Sequence, residues 1–262
     1  MIFHFYKYQG TGNDFIIADN RGQAYSGLTT AQINALCNRR FGIGADGLML
    51  LNTLEGYDFE MKYFNADGKE GSMCGNGGRC ITKFAYHLGI HRETYHFLAS
   101  DGPHEAEIDI EGIVSLKMKD VDHIRKFHGD FILNTGSPHY IRLVKDVMEM
   151  DVYKKGHEIR YSREFAEDGI NVNFVEQLDK NNRIKVRTYE RGVEDETYSC
   201  GTGVTAAALM SYHNETGFND IEVSTLGGNL TVEFERSEND TYHNIWLCGP
   251  AERVFEGQLE IK

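Results

Sequence analysis

A stretch long enough to cross a membrane is the first thing this chain lacks, since no apolar run approaches the roughly 18 residues a spanning helix needs. Its first residues, Met1 to Lys7, alternate like a strand and have neither the apolar centre nor the small-residue cleavage site of a secretory signal. Basic residues are in short supply too. Twenty-seven Lys and Arg stand against 40 Asp and Glu, a net charge of −13 with no long basic cluster, which disfavours nucleic acid and anionic membrane surfaces as partners. The five cysteines (Cys37, Cys74, Cys80, Cys200, Cys248) are odd in number and scattered, which excludes a disulfide framework. No Cys-x-x-Cys pair offers the start of a zinc site, so no metal is expected. What these absences leave is a soluble, cytoplasmic protein with reduced thiols. Its 262 residues, 40% hydrophobic, suit two domains with a core each, or one large domain.

What is present, twice, is a cysteine before a glycine-bearing turn that opens a helical pattern. Ser72-Met73-Cys74-Gly75-Asn76-Gly77-Gly78-Arg79-Cys80 is echoed by Ser199-Cys200-Gly201-Thr202-Gly203-Val204-Thr205-Ala206. The two leading cysteines are 126 positions apart, close to half the chain, which suggests a duplicated architecture. A helix start carries N–H groups that the helix does not use and the positive end of the macrodipole, so it favours a thiolate and welcomes an anion beside it.

The rest of the chain can be read as a repeat built around these turns. In the first half, a strand from Met1 turns at Gln9 to Asp14 into a second strand at Phe15 to Ala18. Thr29 to Gln32 signals a helix start, with Ile33, Leu36 and Cys37 on one face and an end near Arg40. Gly42 to Gly47 is a flexible loop that either cradles a ligand or merely turns. Strands are expected at Leu48 to Leu51 and Tyr57 to Tyr63, then, after a helix closing at Gly89, at Tyr95 to Ala99, Ala106 to Ile110 and Val114 to Met118. The polar stretch from Asp120 to Asp130 is the candidate boundary.

The second half replays this order. Thr135-Gly136-Ser137-Pro138-His139 leads from a glycine turn into a strand, and a helix is expected over 156–165. Strands follow at 172–178 and 184–188, then a nearly all-apolar helix carrying Val204 to Tyr212, then strands at 229–234 and 243–247. The fold class is therefore α+β, two pseudo-symmetric halves, each a mixed or antiparallel sheet wrapped around one central helix. Cys37, Cys80 and Cys248 read as core thiols.

Two thiols at anion-welcoming turns admit two chemistries. One is acid/base: a thiolate removes the proton from the carbon next to a carboxylate that is held by backbone N–H groups, and the opposing thiol returns a proton to the other face, inverting the centre. The other is redox, with a disulfide closing between the cysteines. His139, placed as Asn13 is in the first half, is a candidate base toward a thiol, Glu190 a candidate for the other thiol or for an ammonium, and Arg191 a bidentate fork for a second carboxylate.

Taken together, the motifs resemble the diaminopimelate epimerase family over essentially the whole chain. The likeness rests on Gly10-Thr11-Gly12-Asn13-Asp14-Phe15, Gly42 to Gly47, Phe64-Asn65-Ala66-Asp67-Gly68, Met73-Cys74-Gly75-Asn76-Gly77 with Arg79-Cys80, Pro138-His139, Asn171, Glu190-Arg191-Gly192 and Cys200-Gly201-Thr202-Gly203. The resemblance implies a cofactor-independent isomerase interconverting LL- and meso-2,6-diaminopimelate for lysine and peptidoglycan synthesis. It implies a cleft between two halves, 1–120 plus 253–262 and 121–252, the last strand crossing back to complete the first. It makes Cys74 and Cys200 the base and acid, and the N–H groups of Gly75, Asn76, Gly201 and Thr202 the carboxylate cradle. Asn65, Asn171, Glu190 and Arg191 match positions that bind the distal end, Asn13 lies near the reacting end, and His139 and Glu190 match residues that set thiol protonation. The partner implied is a small molecule, with a homodimer as the one assembly considered. Gly47 and Ser137 depart from members that carry glutamine and asparagine there, although glycine at the first place is also a common variant of the family. The proline racemase and hydroxyproline epimerase group is the nearest rival, but it typically has histidine after the first Cys-Gly and Ser-Pro before the second, where this chain has Asn76 and Tyr198-Ser199.

Overall fold

The computed structural model describes residues 1–71, 73–178, 182–211 and 215–261, so Ser72 and Tyr212, named in the motifs above, lie outside the described residues. Among the described residues no helix is long and apolar enough to cross a membrane. The chain divides into two compact units, Met1–Leu116 with Pro250–Lys262, and Lys117–Gly249.

In the first unit β1 (Ile2–Gly10) turns through Thr11 and Gly12, both left-handed with φ of 50° and 84°, into β2 (Asn13–Asp19). Helix α1 (Thr30–Cys37) starts on a capping box in which Thr29 and Gln32 satisfy each other's backbone N–H groups. It stops three residues short of the Arg40 that the pattern suggested. The Asn38 side chain accepts from the N–H groups of Arg40 and Phe41 at 2.9 and 3.0 Å, an Asx turn that competes with the helix. Then come β3 (Gly47–Asn52), β4 (Phe59–Asn65), α2 (Gly75–His87), β5 (Thr94–Ala99), β6 (Gly102–Ile108) and β7 (Val114–Lys117). All six residues of β3 are buried because α1 packs on one face and α2 on the other. Leu48 and Leu50 join Phe3, Phe5, Ile16, Ile33 and Leu36 in the core under α1, while Met49 faces Gly77 of α2. Gly89, at φ 85°, ends α2: its N–H reaches the Tyr86 carbonyl and that of Ile90 the Ala85 carbonyl, which is a Schellman closure.

The second unit runs β8 (Ile124–Phe127), β9 (Asp130–Asn134), β10 (Pro138–Leu143), α3 (Val152–Arg160), β11 (Asn171–Gln177), β12 (Arg183–Glu190), β13 (Asp195–Thr197), α4 (Gly201–Leu209), β14 (Gly217–Thr225), β15 (Gly228–Arg236) and β16 (Tyr242–Gly249). Three of these correct the sequence pattern. The polar stretch from Asp120 to Asp130, just after the division between the units at Leu116 and Lys117, contains β8, where no strand was expected; it pairs with β9, so its charges mark a solvated edge. The helix expected over 156–165 lies four residues earlier because Asp151 caps it, its carboxylate accepting from the Lys154 N–H at 3.0 Å. Gly156 sits inside that helix rather than near its start, where a Cβ would stand 2.3 Å from that of Tyr189, so the glycine permits close helix-on-strand packing. Finally, β14 follows α4 where no strand was expected.

The last strand, β17 (Glu252–Glu260), pairs antiparallel with β1 inside the first unit. Strand order there is β17-β1-β2-β3-β4-β5-β6-β7, and the pairings run antiparallel, antiparallel, parallel, antiparallel, parallel, antiparallel, antiparallel. In the second unit β8-β9-β10-β11-β12-β14-β15-β16 follows the same series of directions, with β13 added beside β12. The helices recur at equal places, α1 and α3 before the fourth strand in order, the first to join in parallel, and α2 and α4 before the sixth, the second to do so. Each unit is thus the same α+β design, with β17 occupying in the first the place that β8 holds in the second.

Removing the Asp151 cap leaves the α3 start unsatisfied, so Asp151→Ala should lower stability by about 1 kcal/mol. A urea midpoint shifted down at unchanged slope is the expected readout; an unmoved midpoint would mean the cap does not hold the helix start.

Candidate active site

Both central helices begin on cysteine. Cys74 is the N-cap of α2 and Cys200 of α4, each with extended backbone and neither with a side-chain cap hydrogen bond. The first bond that each helix makes within itself runs from Gly78 N–H to the Cys74 carbonyl at 2.7 Å and from Val204 N–H to the Cys200 carbonyl at 2.8 Å. The N–H groups between, on Gly75, Asn76 and Gly77 and on Gly201, Thr202 and Gly203, are therefore not used by the helix. Aligned with the helix dipole, they form an anion-directed turn beside each thiol.

In the first unit the thiol of Cys74 faces Asn13, whose Oδ1 lies 3.5 Å from Sγ. The orientation of Asn13 is set from behind: its Nδ2 donates to Asp46 Oδ2 at 2.5 Å, and a carboxylate can only accept. Asp46 is held in turn by Arg39, which also pairs with Asp14, and Lys7 pairs with Asp14 at 2.7 Å. Hydrogen bonds and charge from Arg39 and Lys7 hold the Asp14 carboxyl well below its usual range, against the pull of burial. Asn76, fully buried, accepts from Arg79 at 3.0 Å on its Oδ1 and turns its Nδ2 to Asn13 Oδ1 at 3.4 Å. Arg79, likewise fully buried, also reaches Thr11 Oγ1 at 3.2 Å and the Gly75 carbonyl at 3.4 Å. Asn65 is not part of this cluster; it stands exposed at the end of β4.

In the second unit Cys200 Sγ lies 3.6 Å from Thr202 Oγ1, and Thr202 Oγ1 lies 2.9 Å from Nε2 of the buried His139. Desolvation, and secondarily the charge of Arg191, push the His139 imidazole down to about 3, so it is neutral. His139 was expected as a base toward a thiol, in Asn13's place; its hydrogen bonds go instead to Thr202 and Asn173. Register explains the difference. His139 stands opposite Asn171 as Phe15 stands opposite Gly47, so the residue in Asn13's place is Ser137, after the matching turns Thr11-Gly12 and Thr135-Gly136.

Asn171, Ser137 and Arg191 form a second polar group in this unit. Asn171 Nδ2 donates to Ser137 Oγ at 2.9 Å and Asn171 Oδ1 accepts from the Arg191 N–H at 2.9 Å, while the Arg191 guanidinium reaches Ser137 Oγ at 3.4 Å and the Asp168 carbonyl at 3.0 Å. Glu190 accepts from the Thr197 hydroxyl of β13 at 2.9 Å. Ser137, a departure from the family pattern, thus orients Arg191. Gly47, the other departure, leaves room for a ring: a Cβ there would stand 2.4 Å from Tyr63 Cε2 and 2.6 Å from the Phe64 carbonyl oxygen.

Asn173 is a residue near Cys200 that the motifs do not single out. It is buried under α4, so close that a Cβ on Gly203 would stand 2.3 Å from its Oδ1. A signal existed in the sequence: one asparagine inside the apolar strand Val172-Asn173-Phe174-Val175 must find partners in the core. Asp46 and Arg79 carried no comparable signal, because only the packing of α1 and α2 makes them neighbours of the site. Burial pushes Cys37 up to about 11 and Cys80 up to about 12, which leaves both as inert core thiols. Cys248 is buried as well. His87 and His91 stand four apart but do not form a metal pair, since His87 bonds the Tyr8 hydroxyl and His91 packs edge-on against Tyr86. No group of three or more His, Cys, Asp or Glu positioned for a metal occurs among the described residues.

Comparison with known proteins covers nearly the whole chain. The sequence profile of the family Diaminopimelate epimerase matches residues 5–124 and 131–254. A diaminopimelate epimerase of Flavobacterium psychrophilum is 49% identical over 252 residues, 96% of this chain and 98% of that one. One of Chlorobaculum tepidum is 44% identical over 262 aligned positions, 96% and 99%. Among solved structures, a phenazine biosynthesis protein of the PhzF family from Bacillus anthracis aligns over 100% of both chains with a TM-score of 0.77 at 16% identity. A hydroxyproline epimerase from Agrobacterium vitis aligns over 98% of this chain and 92% of its own, with a TM-score of 0.68 at 13% identity. At those identities the likeness is one of fold, the α+β architecture in two halves.

His139 bears on stability through pH. Unfolded, the imidazole takes a proton near its ordinary 6.5; folded, only near 3. Between those values the unfolded chain binds a proton that the folded chain does not, so this contribution is complete above the unfolded value and is lost as pH falls, at up to about 1.4 kcal/mol per pH unit. Urea titrations should show that slope in the wild type and a shallower one in His139→Gln; equal slopes would mean that His139 is not held neutral.

Proposed function

The chain belongs to the diaminopimelate epimerase family, and on that premise we propose that it interconverts LL- and meso-2,6-diaminopimelate by moving one α-proton between two thiols. The observation that carries this reading is the paired design: two topologically equivalent units, each with a buried helix that begins on a cysteine and does not itself use its first N–H groups.

The chemistry follows from what those groups can do. The α-carboxylate rests against the N–H groups of Gly75, Asn76, Gly201 and Thr202. One sulfur, as thiolate, takes the α-proton, and the electron pair left on carbon spreads into the carboxylate as an enediolate. Preorganised N–H dipoles stabilise that added charge more than they stabilise the ground state, which is the condition for catalysis. The opposite sulfur, as thiol, then protonates the other face, and the two have exchanged protonation states. Cysteine suits both roles because a helix start brings its pKa toward neutrality. In this proposal the thiols and the N–H cradle do the work that pyridoxal phosphate or a metal does elsewhere.

The distal amino-acid end goes to Asn65, Asn171, Glu190 and Arg191, with Glu190 for the ammonium and Arg191 for the carboxylate. What supports this assignment is the orientation of Arg191 by Asn171 and Ser137. Asn13 serves the reacting end beside Cys74, and His139 acts on Cys200 through Thr202. The product feeds lysine and peptidoglycan synthesis, biosynthetic roles that support a cytoplasmic location.

In deuterated water the protein should exchange the α-hydrogen of LL-diaminopimelate, undiminished by a chelator or a carbonyl reagent, and should leave proline untouched. Cys74→Ala and Cys200→Ala should each abolish turnover; wild-type turnover in either would remove that cysteine from the pair. Arg191→Ala should weaken substrate binding by on the order of 2–5 kcal/mol, as for a lost buried charge partner. Rapid formation of a disulfide under mild oxidation, with no exchange at all, would favour a thiol redox protein instead.

A further inference from the structure

Two-base chemistry needs one thiolate and one thiol at the start of each turn, and the two cysteines are set in hydrogen-bond surroundings of opposite polarity. In the second unit, Asn173 Nδ2 lies 3.1 Å from the Tyr140 carbonyl oxygen, which can only accept, and the Thr188 hydroxyl donates to Asn173 Oδ1 at 2.9 Å. The amide can therefore take only one orientation, with its second N–H directed at His139 Nδ1, 3.1 Å away. A ring nitrogen that accepts holds no proton, so in the neutral imidazole the proton is on Nε2 and is donated to Thr202 Oγ1 at 2.9 Å. With its oxygen accepting from His139, the Thr202 hydroxyl directs its own hydrogen at the remaining neighbour, Cys200 Sγ at 3.6 Å. Every bond in the chain Thr188, Asn173, His139, Thr202, Cys200 points the same way, toward sulfur.

The first unit has the reverse arrangement. Arg79 can only donate, so Asn76 presents Oδ1 to it and Nδ2 to Asn13. Asp46 can only accept, so Asn13 presents Nδ2 to it and Oδ1 to Cys74 Sγ. Cys74 meets an oxygen that accepts a proton and would repel an anion.

We propose that Asn173 is a positioning residue which, by selecting the His139 tautomer, makes Cys200 the resting thiolate, while Asn13 keeps Cys74 as the resting thiol. This deepens the proposed function and rests on it. Both thiols share a helix start. Charged groups linked to the site are Arg79, Asp14 and Asp46 in the first unit and Glu190 and Arg191 in the second, and to these Thr202 adds a donor toward Cys200 and Asn13 an acceptor toward Cys74. The low pKa of His139 is consistent with this role, since a neutral ring is what the chain requires. His139 is then not a base toward Cys200: one nitrogen already accepts and the other already carries the proton.

Iodoacetamide labelling of the full chain across pH, followed for each cysteine peptide by mass spectrometry and scaled to its own alkaline rate, reads the two thiols separately. Cys200 should rise at a pH lower than Cys74 by about one unit, a roughly tenfold larger thiolate fraction below both midpoints. Thr202→Val should move the Cys200 profile toward alkaline pH and leave that of Cys74 in place, with Thr202→Ser restoring it, and Asn173→Leu should move it in the same direction. NMR of nitrogen-labelled histidine should find His139 neutral with its proton on Nε2, a measurement on the wild type that needs no variant to fold. Coincident profiles, a lower midpoint for Cys74, no effect of Thr202→Val, or a proton on Nδ1 would each overturn the proposal. None of these readouts needs turnover, so a missing isotope exchange with intact thiol asymmetry would count against the epimerase reading alone.

Discussion

A helix buried at the centre of a sheet must satisfy its first N–H groups, and in both units of this protein it does so without a side-chain cap. Serine, threonine or aspartate at the N-cap would turn an oxygen back onto the first turn and satisfy a donor there. Cysteine at positions 74 and 200 does not, so the donors next to each thiol are turned to whatever lies beyond the helix. Much of the surrounding structure serves that arrangement. Gly203 lets α4 approach the strand beneath it, and could not carry a side chain without displacing Asn173. Asn13 and Thr202, which touch the thiols, are themselves oriented from behind, Asn13 by Asp46 and Asn76, Thr202 by the buried His139.

The two units repeat a topology strand for strand, yet they do not repeat the chemistry of their thiols. Equivalent positions carry Asn76 and Thr202, Asn13 and Ser137, Phe15 and His139. A symmetric pair would give both sulfurs the same tendency to ionise, whereas proton transfer across a carbon needs one of each. Divergence at those few positions supplies the difference, and the common helix start keeps it small enough to reverse with each turnover.

Much of this was legible in the chain alone, for identifiable reasons. Alternation over Ile2 to Lys7 and over Ile184 to Thr188 is period-two burial, and the capping pair Thr29 and Gln32 is a local signal. The Cys-Gly turns were visible because the glycine, the cysteine and the helix they open are neighbours in sequence. The signals that failed were those with a competing local device. Asn38 ended α1 early by an Asx turn, Asp151 began α3 before its apolar face became apparent, and the charges from Asp120 to Asp130 hid an edge strand.

The sequence by itself determined the α+β class, the duplication, the two candidate thiols and the family, because each rests on residue types at short spacing or on their order along the chain. Tertiary structure alone decided which polar groups stand next to each sulfur and which way their hydrogen bonds point. That decision depends on strand register: Ser137 fills the place expected for His139, which lies two residues further on, and register is set by pairing between segments more than thirty residues apart, as His139 with Asn171. It depends equally on packing, since Asn173 meets His139 only because β10 and β11 lie side by side beneath α4. The polarity of a hydrogen-bond chain is a property of neighbours in space, and in this protein it separates two cysteines that their motifs alone make alike.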